Sequence, residues 1–256
     1  MSERGLWDLR GKRALVTGGS RGIGAATARM LAEAGAGVVI GYRSRVGDAE
    51  RVVAECRESG GTADAIAADI GTRAGADALV EGTLRVLGGL DIFVANAGIW
   101  RPEHVPIGEM DDAHWSRTMR ENVDSMFFTT RAAARAIADG GRIVMVGSTA
   151  GQRGEAFHAD YAASKGAMMS FVKSLCIELA PRDITVNCVA PGWVDTEMAA
   201  TPYADGGRDR IAAGIPLGRV AAAEDIAGPI VFLCTPLARH ITGEVLNVNG
   251  GSVLCG

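Results

Sequence analysis

Short apolar, β-rich runs alternate with longer helical patterns along nearly the whole chain. The runs at 13–17, 38–41, 63–67, 91–95, 142–147, 184–189 and 244–248 predict strands. The stretches 22–34, 48–58, 72–87, 114–138 and 161–179 predict helices. Alternation at this rhythm implies a parallel sheet covered on both faces. The expected fold is α/β: a doubly wound, Rossmann-like parallel sheet of about seven strands. No linker, repeat or low-complexity stretch interrupts it, so residues 1–256 are read as a single domain. The least regular segment is 196–218, where Thr201-Pro202-Tyr203 and Asp205-Gly206-Gly207 signal turns. A segment of this kind after the sixth strand predicts a lid.

Composition narrows the class. With 48% hydrophobic and 22% charged residues the chain can bury a sizeable core. A net charge of −4 argues against general affinity for nucleic acid or an anionic membrane. Cys56, Cys176, Cys188, Cys234 and Cys255 are odd in number and form no Cys-x-x-Cys pair, which reads as reduced thiols. The stretch Met1-Ser2-Glu3-Arg4-Gly5-Leu6-Trp7 has no signal-peptide core, and no window approaches a membrane span. A cytoplasmic protein is expected. The four histidines (His104, His114, His158, His240) make no metal pair, so no metal site is expected.

Tyr161 and Lys165 stand at i,i+4 on a predicted helix, one turn apart on one face, with Ser148 thirteen residues earlier. A phenol of ordinary pKa about 10 is a poor proton donor or acceptor near neutrality. A nearby cation favours the phenolate, and closing a gap of about three pH units needs roughly 4 kcal/mol. One lysine, helped by a positively charged nicotinamide ring, would supply it. Hydride transfer to a ketone builds negative charge on oxygen, and Ser148 and Tyr161 are suitable preorganised donors. Ser148 as a hydrolase nucleophile fits less well, because its context has no Gly-x-Ser-x-Gly elbow.

The first predicted strand runs into Thr17-Gly18-Gly19-Ser20-Arg21-Gly22-Ile23-Gly24, and a helical pattern follows at once. Glycines 18, 22 and 24 allow a tight turn and close approach of the backbone to a pyrophosphate at the helix N-terminus. The second strand, where NAD recognition calls for an acid, runs on as Gly41-Tyr42-Arg43-Ser44-Arg45, and nothing acidic occurs between Glu33 and Asp48. Arg43 and Ser44, with Arg21 and Arg45 as helpers, suit a 2′-phosphate, which a guanidinium grips as a fork. The cofactor predicted is NADPH/NADP+.

These residues resemble the short-chain dehydrogenase/reductase superfamily, in its single-domain branch of about 250 residues. The likeness runs from about Gly11 to Gly251. Its markers stand in order: Thr17-Gly18-x-x-x-Gly22-x-Gly24, Asp69, Asn96-Ala97-Gly98, Asn122, Ser148, Tyr161-x-x-x-Lys165, and Pro191-Gly192 ahead of Thr196. Two departures stand out: Ala95, where many relatives carry a second Asn, and Tyr42, where NAD-dependent relatives carry Asp.

The resemblance implies roles. Asp69 and the Ile70 backbone would hold the adenine, and Asn96, Ala97 and Gly98 would wall the ribose. Pro191 to Thr196, with Gly192 and Val194, would hold the carboxamide. Ser148 would bind the substrate carbonyl and Tyr161 would deliver the proton. Lys165 would bind the nicotinamide ribose and lower the phenol's pKa, and Asn122 would anchor a water linking Lys165 to solvent. Relatives of this branch are usually tetramers built through the helices 114–138 and 161–179 and the last strand. The apolar Met126, Phe127, Phe128, Met168, Met169 and Phe171 on those helices agree with that.

The pattern is most like the 3-oxoacyl thioester reductases. The expected activity is NADPH-dependent reduction of a ketone, with a 3-oxoacyl thioester as one candidate, to a secondary alcohol. The alternatives are an NAD-dependent alcohol, polyol or sugar dehydrogenase and a non-catalytic NADPH-sensing regulator. Trp100, Gln152, Glu155, Phe157, Trp193 and Met198 are expected to line the substrate pocket. If the substrate rides on a carrier protein, Arg101, Arg153 and Arg208 are the candidate docking cations.

Overall fold

The seven expected strands pair into one sheet in the computed structural model, which describes residue 5 and residues 7–254. Cys255 and most of the amino-terminal stretch, Met1 to Arg4 and Leu6, lie outside the described residues. The chain runs β1 (Arg13–Thr17), α1 (Gly22–Glu33), β2 (Gly37–Tyr42), α2 (Val46–Glu58), β3 (Ala63–Ala67), α3 (Arg73–Leu87), β4 (Ile92–Ala95). It continues through α4 (Asp112–Met119), α5 (Ser125–Ala136), β5 (Arg142–Val146), α6 (Thr149–Arg153), α7 (Ala159–Leu179) and β6 (Thr185–Pro191). Then follow α8 (Ala200–Tyr203), α9 (Gly207–Ala213), α10 (Ala223–Cys234) and β7 (Val245–Val248). Every pairing is parallel and the strand order is β3-β2-β1-β4-β5-β6-β7.

Side chains of a strand point alternately to its two faces, and here each face has its own core. Ala14 and Val16 of β1, with Val144 and Val146 of β5, pack with Leu31 of α1 and Ile226 and Ile230 of α10. Leu15, Ile143 and Met145 face the other way, onto Leu79 of α3, Met126 and Ala133 of α5 and Met168 and Val172 of α7. This two-sided burial explains why the strands read as continuous apolar runs and do not alternate. It also accounts for Met126, Met168 and Met169 as core residues, whereas Phe127 is 40% exposed. Of the cysteines, Cys56, Cys188 and Cys234 are buried and Cys176 is partly so, all as free thiols. No helix among the described residues is long and apolar enough to cross a membrane.

The order reverses beside β1, which has β2 on one side and β4 on the other. In such sheets a crevice opens outside the carboxyl ends of the strands at that point.

Two segments differ from expectation. The helix expected over 114–138 is interrupted by a π turn at Arg120–Asp124. Its extra residue carries the Asn122 carboxamide onto the loop after β4: Oδ1 accepts from Ile99 N at 2.7 Å and Nδ2 donates to Ile99 O at 3.0 Å. The segment 196–218 contains a 3₁₀ turn at Glu197–Ala199 followed by α8 and α9. Asp205 and Gly206, both at positive φ, make the corner between the two helices. The turn signals there mark a boundary between helices and not a loop.

Candidate active site

Almost all of the residues singled out in the sequence line one cleft at the carboxyl end of the sheet. Gly18, Ser20, Arg21, Gly22, Ile23, Arg43, Ser44, Asp69, Ile70, Asn96, Ala97 and Gly98 form one part. Ser148, Tyr161, Lys165, Pro191, Gly192, Val194 and Thr196 form the rest. Gly24 and Asn122 are not on its lining and act from behind it.

The glycine-rich turn between β1 and α1 is built by steric exclusion. Gly18 and Gly22 adopt φ of 64° and 54°, which side chains rarely tolerate. A Cβ on Gly24 would sit 2.3 Å from the Gly18 carbonyl oxygen and 2.5 Å from Asn96 Nδ2. Asn96 itself donates from Nδ2 to Thr17 O at 3.0 Å and Gly18 O at 3.1 Å, so its side chain ties the turn to the end of β4. Asn96 stands on the cleft lining with its carboxamide engaged in this tie. Thr17 completes the tie: its Oγ1 accepts from the Asn96 and Ala97 amides at 3.0 and 3.1 Å. Gly24→Ala is expected to cost about 1–3 kcal/mol through overpacking, read as a lower urea midpoint. An unchanged midpoint would mean that the turn has room to move.

The start of α1 is open to an anion. Its N-cap, Arg21, makes no side-chain cap hydrogen bond, and its first turn holds no acid. The first amides and the positive end of the helix dipole are left for a ligand. Three guanidinium groups stand near this end, each held by a carboxylate from elsewhere in the chain. Arg43 Nη1 donates to Glu121 at 2.6 and 2.5 Å. Arg21 donates to Glu197 at 2.6 Å and Arg45 to the same oxygen at 3.3 Å. Asp69 accepts from Arg120 and from the Gly71 amide. An acid therefore does stand beside Arg43. The local sequence lacks one, but the π turn delivers Glu121 from 78 residues away.

At the other end, Ser148 caps α6, accepting from the Ala150 amide at 3.1 Å. Tyr161 lies two residues inside α7, and Lys165 follows one turn later. The lysine is 4% exposed; its Nζ donates to Val146 O at 2.8 Å and stands 5.8 Å from the Tyr161 ring centre. Burial pushes the phenol up to about 12; a hydrogen bond with Ser148 pulls it back and the Glu155 charge pushes it further up. Burial pulls the Lys165 ammonium down to about 8. Among the protein's own groups, then, desolvation wins over any lowering of the phenol by Lys165. The ammonium is turned onto the Val146 carbonyl. Asn122 is fully committed to Ile99 and to Ser164 Oγ, the latter at 3.0 Å, so it holds the loop after β4 against α7. A Cβ on Gly98 would lie 3.1 Å from Asn122 Oδ1 and 3.6 Å from Lys165 Nζ. A glycine there keeps the lysine reachable.

Trp100, Glu155, Trp193 and Met198 line the cleft beside these groups, as expected. Gln152 and Phe157 do not. The Gln152 amide donates to Asn247 at 2.6 Å, and Phe157 is 51% exposed and stacks on His104 at 5.5 Å.

A crevice at the switch point of a parallel sheet, lined by Ser148, Tyr161 and Lys165, suits an oxidoreductase. The chain belongs to the short-chain dehydrogenase/reductase superfamily: the family model described as Enoyl-(Acyl carrier protein) reductase matches residues 18–252. It is 39% identical over 249 residues to a 3-oxoacyl-[acyl-carrier-protein] reductase of Synechocystis sp., covering 96% of this chain and 98% of that protein. It is also 39% identical over 264 residues to the versicolorin reductase stcU of Emericella nidulans, covering 98% and 99%. Among solved structures, a blue fluorescent protein from a metagenomic library, in complex with NADPH, superposes with a TM-score of 0.90. That protein is 39% identical and the match covers 96% of this chain and all of the other.

Proposed function

We propose that this protein reduces a ketone to a secondary alcohol with NADPH. The observation that carries the reading is the convergence of Ser148, Tyr161 and Lys165 at one end of a cleft whose other end holds an uncapped helix start and three guanidinium groups. The glycine cradle and the acid-free first turn of α1 fit a pyrophosphate; Arg21, Arg43, Ser44 and Arg45 fit a 2′-phosphate. Asp69 and Ile70 would border the adenine, Ala97 and Gly98 the ribose, and Pro191, Gly192, Val194 and Thr196 the carboxamide. Bound there, the nicotinamide supplies the hydride.

The chain's own groups do the remainder. Ser148 donates to the carbonyl oxygen and Tyr161 gives it the proton as negative charge develops. Lys165, one turn along α7, binds the ribose hydroxyls and supplies positive charge that favours phenolate after the proton has left. Asn122 keeps the loop after β4 seated against α7 while this happens, and a water anchored near it would return the proton from solvent.

The NADPH-bound neighbour supports NADPH as cofactor, and the relatives named as reductases support the direction of reaction. Glu121 is the observation that favours the alternative, an NAD-dependent dehydrogenase, since a carboxylate beside Arg43 can accept a ribose hydroxyl. The two separate in one experiment. Arg43→Ala is expected to weaken NADPH by roughly 1.5–3 kcal/mol, the range for hydrogen bonds to charged groups, with NADH nearly unaffected. Equal losses for both cofactors would place the 2′-phosphate elsewhere. Turnover of a short 3-oxoacyl thioester and of simple cyclic ketones with either cofactor tests the reaction itself; binding without turnover across the panel would leave the sensing role.

A free small-molecule carbonyl is favoured over a carrier-bound one. Arg101 pairs with Glu103 at 3.5 Å and Arg208 with Asp195 at 2.7 Å, and Arg153 faces the cleft, where it acts on the Glu155 charge. Assembly as a homotetramer is part of the proposal, with Trp115, Phe127 and Ile177 exposed on α4, α5 and α7 as interface candidates.

A further inference from the structure

Four acids line the cleft, and three of them are held by arginines at the phosphate end: Asp69 by Arg120, Glu121 by Arg43 and Arg120, Glu197 by Arg21 and Arg45. The fourth, Glu155, stands at the opposite end, near enough for its charge to act on the Tyr161 phenol. Its side chain is 21% exposed, and no arginine or lysine among the described residues ion-pairs with it. Its nearest ionisable neighbour is His158, whose Nδ1 lies 3.7 Å away, but that nitrogen is closer to the Ala156 carbonyl oxygen at 3.1 Å. Trp100 lines the cleft beside it, and Arg153 acts on its charge without forming an ion pair.

The surroundings of Glu155 are flat and apolar. Trp100 stacks on His158 with ring centres 5.0 Å apart and meets Trp193 edge-on at 6.0 Å; Trp193 in turn leans on Tyr203 at 5.9 Å. His158 is 5% exposed, and its Nε2 has no partner. The backbone is bent on both sides of Glu155, by Gly154 at φ 77° and by Phe157 at φ 65°. A positive φ is uncommon for a bulky residue and persists only where the surroundings enforce it. The bend turns Glu155 into the cleft while Phe157 faces His104 and solvent.

A carboxylate drawn partly out of water without an ion-paired arginine or lysine is costly until a donor reaches it. A site built to bind a substrate hydroxyl also rejects the analogue lacking one, because its polar group is then left unpaired. We infer that Glu155 is a specificity-determining residue, and that the preferred ketone sits on a flat ring bearing a hydroxyl whose hydrogen Glu155 accepts. This rests on the ketone-reductase reading of the same site. It goes further by naming the substrate class: hydroxylated cyclic or aryl ketones, with acidic ones repelled.

The test uses matched pairs in which only the donor is lost: 3′-hydroxyacetophenone against 3′-methoxyacetophenone, and 7-hydroxy-1-tetralone against its methyl ether. For the full-length protein with NADPH, kcat/KM is expected to favour the hydroxyl compound by about tenfold or more in at least one pair. Glu155→Leu is expected to bring that ratio to within about threefold of one. Should Glu155→Leu fail to fold, Glu155→Gln decides, with a fall of about threefold or more expected and an unchanged ratio counting against the inference. Ratios near one in the wild-type protein, or a ratio that survives in Glu155→Leu, overturn the inference and leave ketone reduction standing. Reduction of open-chain ketones with neither ring compound turned over does the same. No reduction of any ketone overturns both.

Discussion

Tyr161→Phe is expected to lower turnover by about 10²–10⁴-fold, the usual contribution of a positioned proton donor, while NADPH affinity stays within a few-fold. The substitution keeps the ring and removes only the oxygen. That oxygen is needed when charge develops on the substrate, and no phosphate contact depends on it. Burial pushes the phenol up to about 12, so the protein alone holds it protonated through neutrality, poised to donate. Single-turnover rates under saturating NADPH, with affinity read separately by fluorescence titration, give the two quantities independently. Turnover that survives in the phenylalanine variant would remove Tyr161 as the donor and send attention to Ser148.

Lys165→Met is expected to inactivate the protein and to stabilise it. Burial pulls the ammonium from 10.5 down to about 8, which corresponds to roughly 3 kcal/mol of native-state cost at pH 7. Below about pH 8 the folded and unfolded states both carry this proton, and the folded state bears the penalty in full. Between about 8 and 10.5 the unfolded chain holds more protons, so stability rises with pH. Tyr161 acts oppositely: from 10 towards about 12 the unfolded chain loses its phenol proton first, and stability falls. Wild-type stability should therefore climb from about pH 8 and turn over above about 10. The methionine variant should be more stable at pH 7 and lack the climb. Urea midpoints at pH 7, 9 and 11 decide it. A variant less stable than wild type at pH 7 would mean that the hydrogen bond from Nζ to Val146 outweighs desolvation.

Both predictions concern residues that could be read in the chain without coordinates. The Tyr161–Lys165 pair declares itself because helical spacing is local, and the glycines of 18–24 because each excludes a Cβ where the backbone must pass closely. The strands were legible because burial on both faces makes each a short uninterrupted apolar run. Harder to read was the site's charge balance. Glu121 and Glu197 reach Arg43, Arg21 and Arg45 from 78, 176 and 152 residues away. No local pattern announces them. Asn96 and Asn122 were recognisable as members of the site, yet their carboxamides turned out to brace the loops. Which atoms an amide side chain faces depends on neighbours that the fold brings in.

The amino-acid sequence by itself determined the order of elements, the parallel two-faced sheet, the glycine cradle and the Ser148–Tyr161–Lys165 set, since these rest on spacing and on the conformations that individual residues permit. Only the tertiary structure decided how those groups are charged and aimed. It turned the lysine onto Val146, raised the phenol by burial, paired the arginines with distant carboxylates and left Glu155 facing the cleft with no arginine or lysine ion-paired to it among the described residues. Desolvation and Coulomb energies depend on distances in space, and those exist only once the chain has folded.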